Sequence, residues 1–166
     1  MAKYIKFIDK INSLVKYIVS ILFIVMVILV ALQVLTRFVI DYPISWSEEV
    51  GRYLMVYIVF LGSGLLVRKN GHIAIDFLLE IINPDNRKRL EFVNLAISTI
   101  FFLILIYSGI QLTMVVLGQA TPTLQFSMAW AYAAMPIGSI LMLLNALAVF
   151  FEMTIDGENT KEEEII

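Results

Sequence analysis

Trp46-Ser47-Glu48-Glu49-Val50-Gly51-Arg52-Tyr53 opens a run that carries no further charge until Arg68. Two adjacent carboxylates and an arginine thus stand at the head of a long apolar segment. That segment has about the 20 residues needed to cross a hydrocarbon core of roughly 30 Å. It closes on Arg68-Lys69-Asn70-Gly71, where the basic pair suits the negative end of a helix dipole and Asn-Gly supplies a stop. His72-Ile73-Ala74-Ile75-Asp76 follows. A charged head, an uncharged span and a basic stop describe a membrane helix, and the rest of the chain is apolar helix arranged around this piece.

Composition agrees. Of 166 residues, 60% are hydrophobic, against about 45–50% in soluble domains, and mean hydropathy is +0.89. The net charge of −2 provides no basic field for nucleic acid. The absence of cysteine excludes disulfides, thiol catalysis and cysteine metal sites. The basic, then apolar N-terminus is like a signal peptide, but its apolar run is too long and no A-x-A-like site follows, so it reads as a retained helix.

In chain order, residues 1–16 place apolar side chains at helical spacing among Lys3, Lys6, Lys10 and Lys16, an amphipathic lead-in for a membrane surface. Spans are expected at about 17–36, 46–67, 92–117 and 126–151. Ser45 with Glu48 three residues on fits a capping box for the second. Residues 72–83 are too short to cross; His72, Asp76 and Glu80 form one polar stripe, which predicts an interfacial helix. Asp85 is placed to cap the third span. Thr121-Pro122 reads as a cap with proline at the first helical position of the fourth. Pro136 should kink that span, and the acidic tail 152–166 reads as solvated. The expected fold is an all-α integral membrane protein, one membrane domain over 1–166 with four transmembrane helices and a short interfacial helix.

Lys and Arg are unevenly placed. Residues 1–16 and 68–91 are rich in them, while 38–45 and 118–125 hold none. The positive-inside rule puts both termini and the 68–91 connection in the cytoplasm, and Trp46 and Trp130 then fall at the outer interface, where Trp is favoured. The expected location is a bacterial or archaeal inner membrane, with lipid around the spans.

Three chemistries compete for Glu48, Glu49 and Arg52. Either carboxylate can meet Arg52 at (i, i+4) or (i, i+3). The cluster is a self-neutralising helix head, a docking site for another subunit, or a proton or ion site. In the docking reading, removal of Arg52 is expected to cost more than removal of either glutamate, since it leaves two like charges side by side; a solvated helix head would tolerate it. Arg37 and Gln33 are placed to hydrogen-bond to the carboxylates across the turn. Paired carboxylates can serve acid–base catalysis, but no nucleophile or metal set accompanies them. His72 with Asp76 and Glu80 is too few for a usual zinc site and is better read as a wet polar face. No cofactor is expected. Gln111 and Asn145, within the third and fourth spans, suit hydrogen bonds between helices. A substrate route usually carries more polar groups, or broken helices in matched halves. A stand-alone channel or carrier, or a membrane-embedded enzyme using Glu48 and Glu49, remain the rival readings.

The run from Trp46 to Tyr53, then Phe60-Leu61-Gly62, then Arg68 and Gly71-His72-Ile73-Ala74-Ile75-Asp76, resembles the DctQ-like small membrane subunit of TRAP (tripartite ATP-independent periplasmic) transporters. Gly51 and Tyr57 stand where that family more often has Ala and Trp. The resemblance implies a periplasmic binding protein that captures an organic anion, often a carboxylate such as a C4-dicarboxylate or sialic acid. It implies a large membrane subunit that carries the substrate and sodium sites and moves elevator-fashion. The small subunit would pack against that subunit's fixed scaffold and hold no substrate site of its own. Trp46, Glu48, Glu49, Arg52, Arg37, His72 and Asp76 are then candidates for a subunit interface or a structural role.

Overall fold

A computed structural model describes residues 2–42, 44–69 and 84–163, with side chains described over 3–42, 44–69 and 89–154. The expected interfacial helix at 72–83, and with it His72, Asp76 and the Asn70-Gly71 stop, lies outside the described residues. What is described is helical: α1 (Ala2–Phe38), α2 (Ser45–Arg68), α3 (Pro84–Val115), a short α4 (Ala129–Tyr132) and α5 (Ala134–Glu163). Among the described residues, four stretches are long and apolar enough to cross a membrane: Lys3–Phe38, Ser45–Arg68, Arg89–Val115 and Ala129–Thr154.

α1 contains neither glycine nor proline, so nothing interrupts it between the basic lead-in and the apolar span. The lead-in does not turn aside as a separate surface helix. Its 37 residues make a rod of roughly 55 Å, and Ile8 and Asn12 on its N-terminal part are buried. The helix ends where Asp41 takes a left-handed conformation (φ 58°). That position is usually glycine's, but aspartate tolerates it better than most side chains. The Tyr42 amide then closes back on the Thr36 carbonyl at 3.0 Å.

The capping box at Ser45 does not form. The N-cap of α2 is Ile44, in extended conformation and without a side-chain cap; Ser47 donates its hydroxyl back to the Ile44 carbonyl at 2.8 Å, and Glu48 is turned to Arg52 instead. Asp85 falls inside the first turn of α3, because that helix already begins at Pro84. Its missing N–H costs nothing there. Nor does a helix begin at Thr121-Pro122. Residues 116–128 form a closed loop with an isolated bridge between Ala120 and Ser127. The Thr121 amide donates to the Phe126 carbonyl at 2.7 Å, and Gln125 supplies a left-handed residue (φ 58°).

Proline at 136 does break the fourth span, three residues upstream of itself. It has no N–H for the Tyr132 carbonyl, so α4 ends at Tyr132 and α5 starts at Ala134. Pro136 then sits in the first turn of α5 and packs tightly on α3: a Cβ added at Gly109 would lie 2.9 Å from its Cδ.

α5 is the central helix. It packs against α2 and α3, and α1 lies mainly along α2. Phe102 of α3 with Met142 and Ala146 of α5 form a buried cluster, flanked by Phe60 and Val67 of α2. The α2–α5 crossing is close because Gly138 has no side chain; a Cβ there would fall 2.6 Å from the Phe60 Cβ and 2.8 Å from its carbonyl carbon and oxygen. Small residues serve this purpose where helices associate in lipid. Over half of the apolar stretch of α5 is buried and none of that of α1.

Candidate functional site

The bundle has two ends. One carries the 39–44 turn and the 116–128 loop (the loop end); the other carries both chain termini (the terminal end). Each holds a polar cluster.

At the loop end the motif divides. Glu48 and Arg52 face outward, their side chains 67% and 70% exposed and 3.8 Å apart. Such a pair is worth under about 1 kcal/mol. Glu49 turns inward and is only 2% exposed. Its carboxylate accepts the Tyr53 hydroxyl at 2.9 Å and the Thr123 backbone N–H at 2.8 Å. The buried Thr121 hydroxyl lies beside the same carboxylate without meeting strict hydrogen-bond geometry with any group. The Tyr53 ring meets Phe126 edge-on at 6.1 Å. Glu49 therefore ties the head of α2 to the loop before α4. Glu49 is thus the enclosed member of the motif, while Arg52 is exposed on the surface of this chain.

Arg37 does not reach the carboxylates. Its guanidinium lies 5.9 Å from the Phe38 ring centroid. Gln33 runs beside α2, with its amide nitrogen 3.5 Å from where a Cβ on Gly51 would stand. That leaves room for the alanine more usual at this position. Trp46 is half exposed and Trp130 largely exposed; Tyr57 donates its hydroxyl to the Trp130 carbonyl at 2.6 Å. A cleft of about 280 Å³ opens between α2 and α4, lined among others by Glu49, Arg52, Tyr53, Pro122 and Tyr132.

At the terminal end, Arg68 clasps three helices. Nε donates to Asp9 of α1 at 2.9 Å. The two terminal nitrogens donate in parallel to Glu152 of α5 at 2.5 and 2.6 Å, a bidentate geometry. Deeper in, the Asn12 and Asn145 amides exchange hydrogen bonds at 2.6 and 3.0 Å. Asn145 also donates to the Gly64 carbonyl at 2.8 Å. This is the interhelical bond expected of Asn145. Gln111 instead donates within its own helix, to Tyr107.

The sequence reading missed Asp9, Asn12 and Glu152 as members of this site, and saw in Arg68 only a partner for the helix dipole. A signal was present. Asp9/Asn12, Gly64/Arg68 and Asn145/Glu152 are spaced three, four and seven apart, the spacings that share a helix face. What pairing of helices brings them together is not written in any one of them.

Comparison with known proteins gives the family. A model described as "Tripartite ATP-independent periplasmic transporters, DctQ component" matches residues 26–155. The chain is 34% identical over 134 residues to the sialic acid TRAP transporter permease protein SiaT of Haemophilus influenzae, covering 80% of this chain and 22% of that protein. It is 25% identical over 122 residues to the sialic acid TRAP transporter small permease protein SiaQ of Vibrio cholerae, with 73% and 70% covered. It is 29% identical over 115 residues to the C4-dicarboxylate TRAP transporter small permease protein DctQ of Rhodobacter capsulatus, with 68% and 51% covered. The chain thus spans about a fifth of SiaT and half or more of the two small permease proteins. These relatives are transporter subunits rather than enzymes, which removes the acid–base reading of Glu48 and Glu49. A matching family model over most of the chain, with helices that suit repeated membrane crossing, makes this a multi-pass membrane protein that belongs to the DctQ component of the TRAP transporters, a small permease subunit.

Proposed function

We propose that the chain is a scaffold for the large transport subunit of a sodium-coupled TRAP transporter, whose cargo is an organic anion such as a C4-dicarboxylate or sialic acid. A periplasmic binding protein would deliver the cargo, and substrate and sodium sites would lie in the large subunit. The observation that carries this reading is how the polar groups are spent. Glu49, Arg68, Asn12 and Asn145 are bonded to other parts of this chain, so they hold helices together rather than line a solute path. Meanwhile the apolar stretch of α1 has no part buried, a face free for lipid or for another membrane subunit. The Lys/Arg asymmetry favours the terminal end in the cytoplasm and the loop end outside, in an inner membrane.

Reconstitution tests it. Liposomes with this chain alone, a sodium gradient and labelled carboxylates should show no saturable uptake. Adding the large subunit and binding protein should restore it, and the large subunit should co-purify with this chain. Saturable uptake by this chain alone would overturn the scaffold role.

A further inference from the structure

A groove at the terminal end, between α1 and α2, borders the Arg68 clasp and is lined mostly by side chains that the clasp does not use. It measures about 530 Å³ and is lined by Ser13 and Lys16 from α1, Gly62, Leu65 and Leu66 from α2, and Lys69 just after it, together with Asp9, Asn12 and Arg68 of the clasp. That is the size of a small-molecule site, roughly 300–1,000 Å³.

Its walls divide by chemistry. On α2, Val59, Gly62 and Leu66 share one face by spacing, and Val59 and Leu66 are exposed. Gly62 makes a gap in that stripe: nothing lies within 4 Å of where its Cβ would stand. The stripe ends on Lys69. The opposite wall carries Lys16, one turn further along α1 than the buried Asn12. Both lysines are exposed, and among the described residues neither makes an ion pair, whereas Arg68 is committed to Asp9 and Glu152. The two lysines outweigh the one carboxylate that Arg68 leaves unbalanced. Lys16 directly precedes the apolar span that begins at Tyr17, and Lys69 directly follows α2, the places where basic side chains meet anionic headgroups.

We propose that this groove seats an anionic phospholipid. The phosphodiester lies between Lys16 and Lys69, with the Ser13 hydroxyl as a further donor. One acyl chain fills the slot over Gly62 and passes along Leu66 and Val59 into the bilayer without crossing a polar group. The lipid thereby becomes a wedge between α1 and α2 beside the Arg68 clasp. This is a specific site, distinct from general solvation of the spans by lipid, and it holds whether or not the scaffold role does.

The test is native mass spectrometry of the full chain in detergent. It is offered phosphatidylglycerol and phosphatidylethanolamine with matched acyl chains. Phosphatidylglycerol adducts should predominate. Lys16→Gln and Lys69→Gln should each weaken them about five-fold, and together about 25-fold, the effect of removing one or two cations beside an anionic headgroup. Lys3→Gln with Lys10→Gln, which removes the same charge elsewhere on α1, should leave them unchanged. Gly62→Leu, which fills the slot, should abolish the adduct with either headgroup. Because the lysines are exposed, their variants remain informative even if the glycine variant folds poorly. Equal retention of both lipids, equal loss in the Lys3/Lys10 control, or an unchanged Lys16/Lys69 double variant would overturn the site. So would displacement of the lipid by glycerol phosphate at equal concentration, which would make it a site for a soluble anion.

Discussion

Glu48 and Glu49 are neighbours with opposite fates, and the cause is the helix. Adjacent positions point about 100° apart, so one carboxylate faces solvent with Arg52 and the other enters the bundle. A buried carboxylate without hydrogen bonds is very costly, and Glu49 has two, from Tyr53 and Thr123. Glu49→Ala should therefore free the loop: amide exchange at Thr123, read by hydrogen–deuterium exchange, should quicken at least about ten-fold, the ratio for losing one charge-assisted hydrogen bond. Arg52→Ala should change it less than about three-fold, as suits an exposed pair. Equal effects would mean that Arg52 supports the buried site after all. Assembly with a large subunit is expected to follow the same order.

Among the elements, the contact of α2 with α5 is set by Gly138 and the Asn145 cluster. Gly138→Ala drives a Cβ into the Phe60 backbone and should cost about 1–3 kcal/mol, as overpacking does. Gly62→Ala, in open space, should be neutral or slightly stabilising, since alanine favours helix over glycine by up to about 1 kcal/mol. Steric-trapping measurements in bicelles compare the two directly; a harmless Gly138→Ala would mean that α2 and α5 can part freely. Asn145→Ala leaves the Asn12 amide buried and unpaired, with a loss of about 1–2 kcal/mol. Adding Asn12→Ala should cost less than the sum of the singles, because the orphaned partner is then gone. Strict additivity would deny the exchange of hydrogen bonds between them.

For the whole molecule, the arrangement is a central α5 with α2 and α3 against it and α1 on the outer side of α2. The proposed topology is checked with single cysteines. Asn12 is buried in the bundle and the Thr123 backbone N–H bonds Glu49, so neither is a suitable site. Lys10 and Gln119 are exposed and serve instead, with position 159 as the C-terminal probe. An impermeant thiol reagent applied outside cells should label position 119 alone; labelling at 10 or 159 would overturn the orientation.

Run length and hydropathy depend only on which residues follow one another, and a bilayer reads them directly. Four membrane-crossing helices were thus legible from residues 1–166, and so was the break around Pro136, because a missing N–H is a local fact. The family was legible in the run from Trp46 through Asp76. What the sequence could not rank was the motif's members, since Glu48 and Glu49 are chemically the same and only the loop at 121–126 decides which is enclosed. Asp9, Asn12, Gly64, Arg68, Asn145 and Glu152 lie up to 143 positions apart. Their clasp exists only because α1, α2 and α5 come together at one end, and that choice is made by close contacts such as Gly138 on Phe60, which are properties of two helices and never of one.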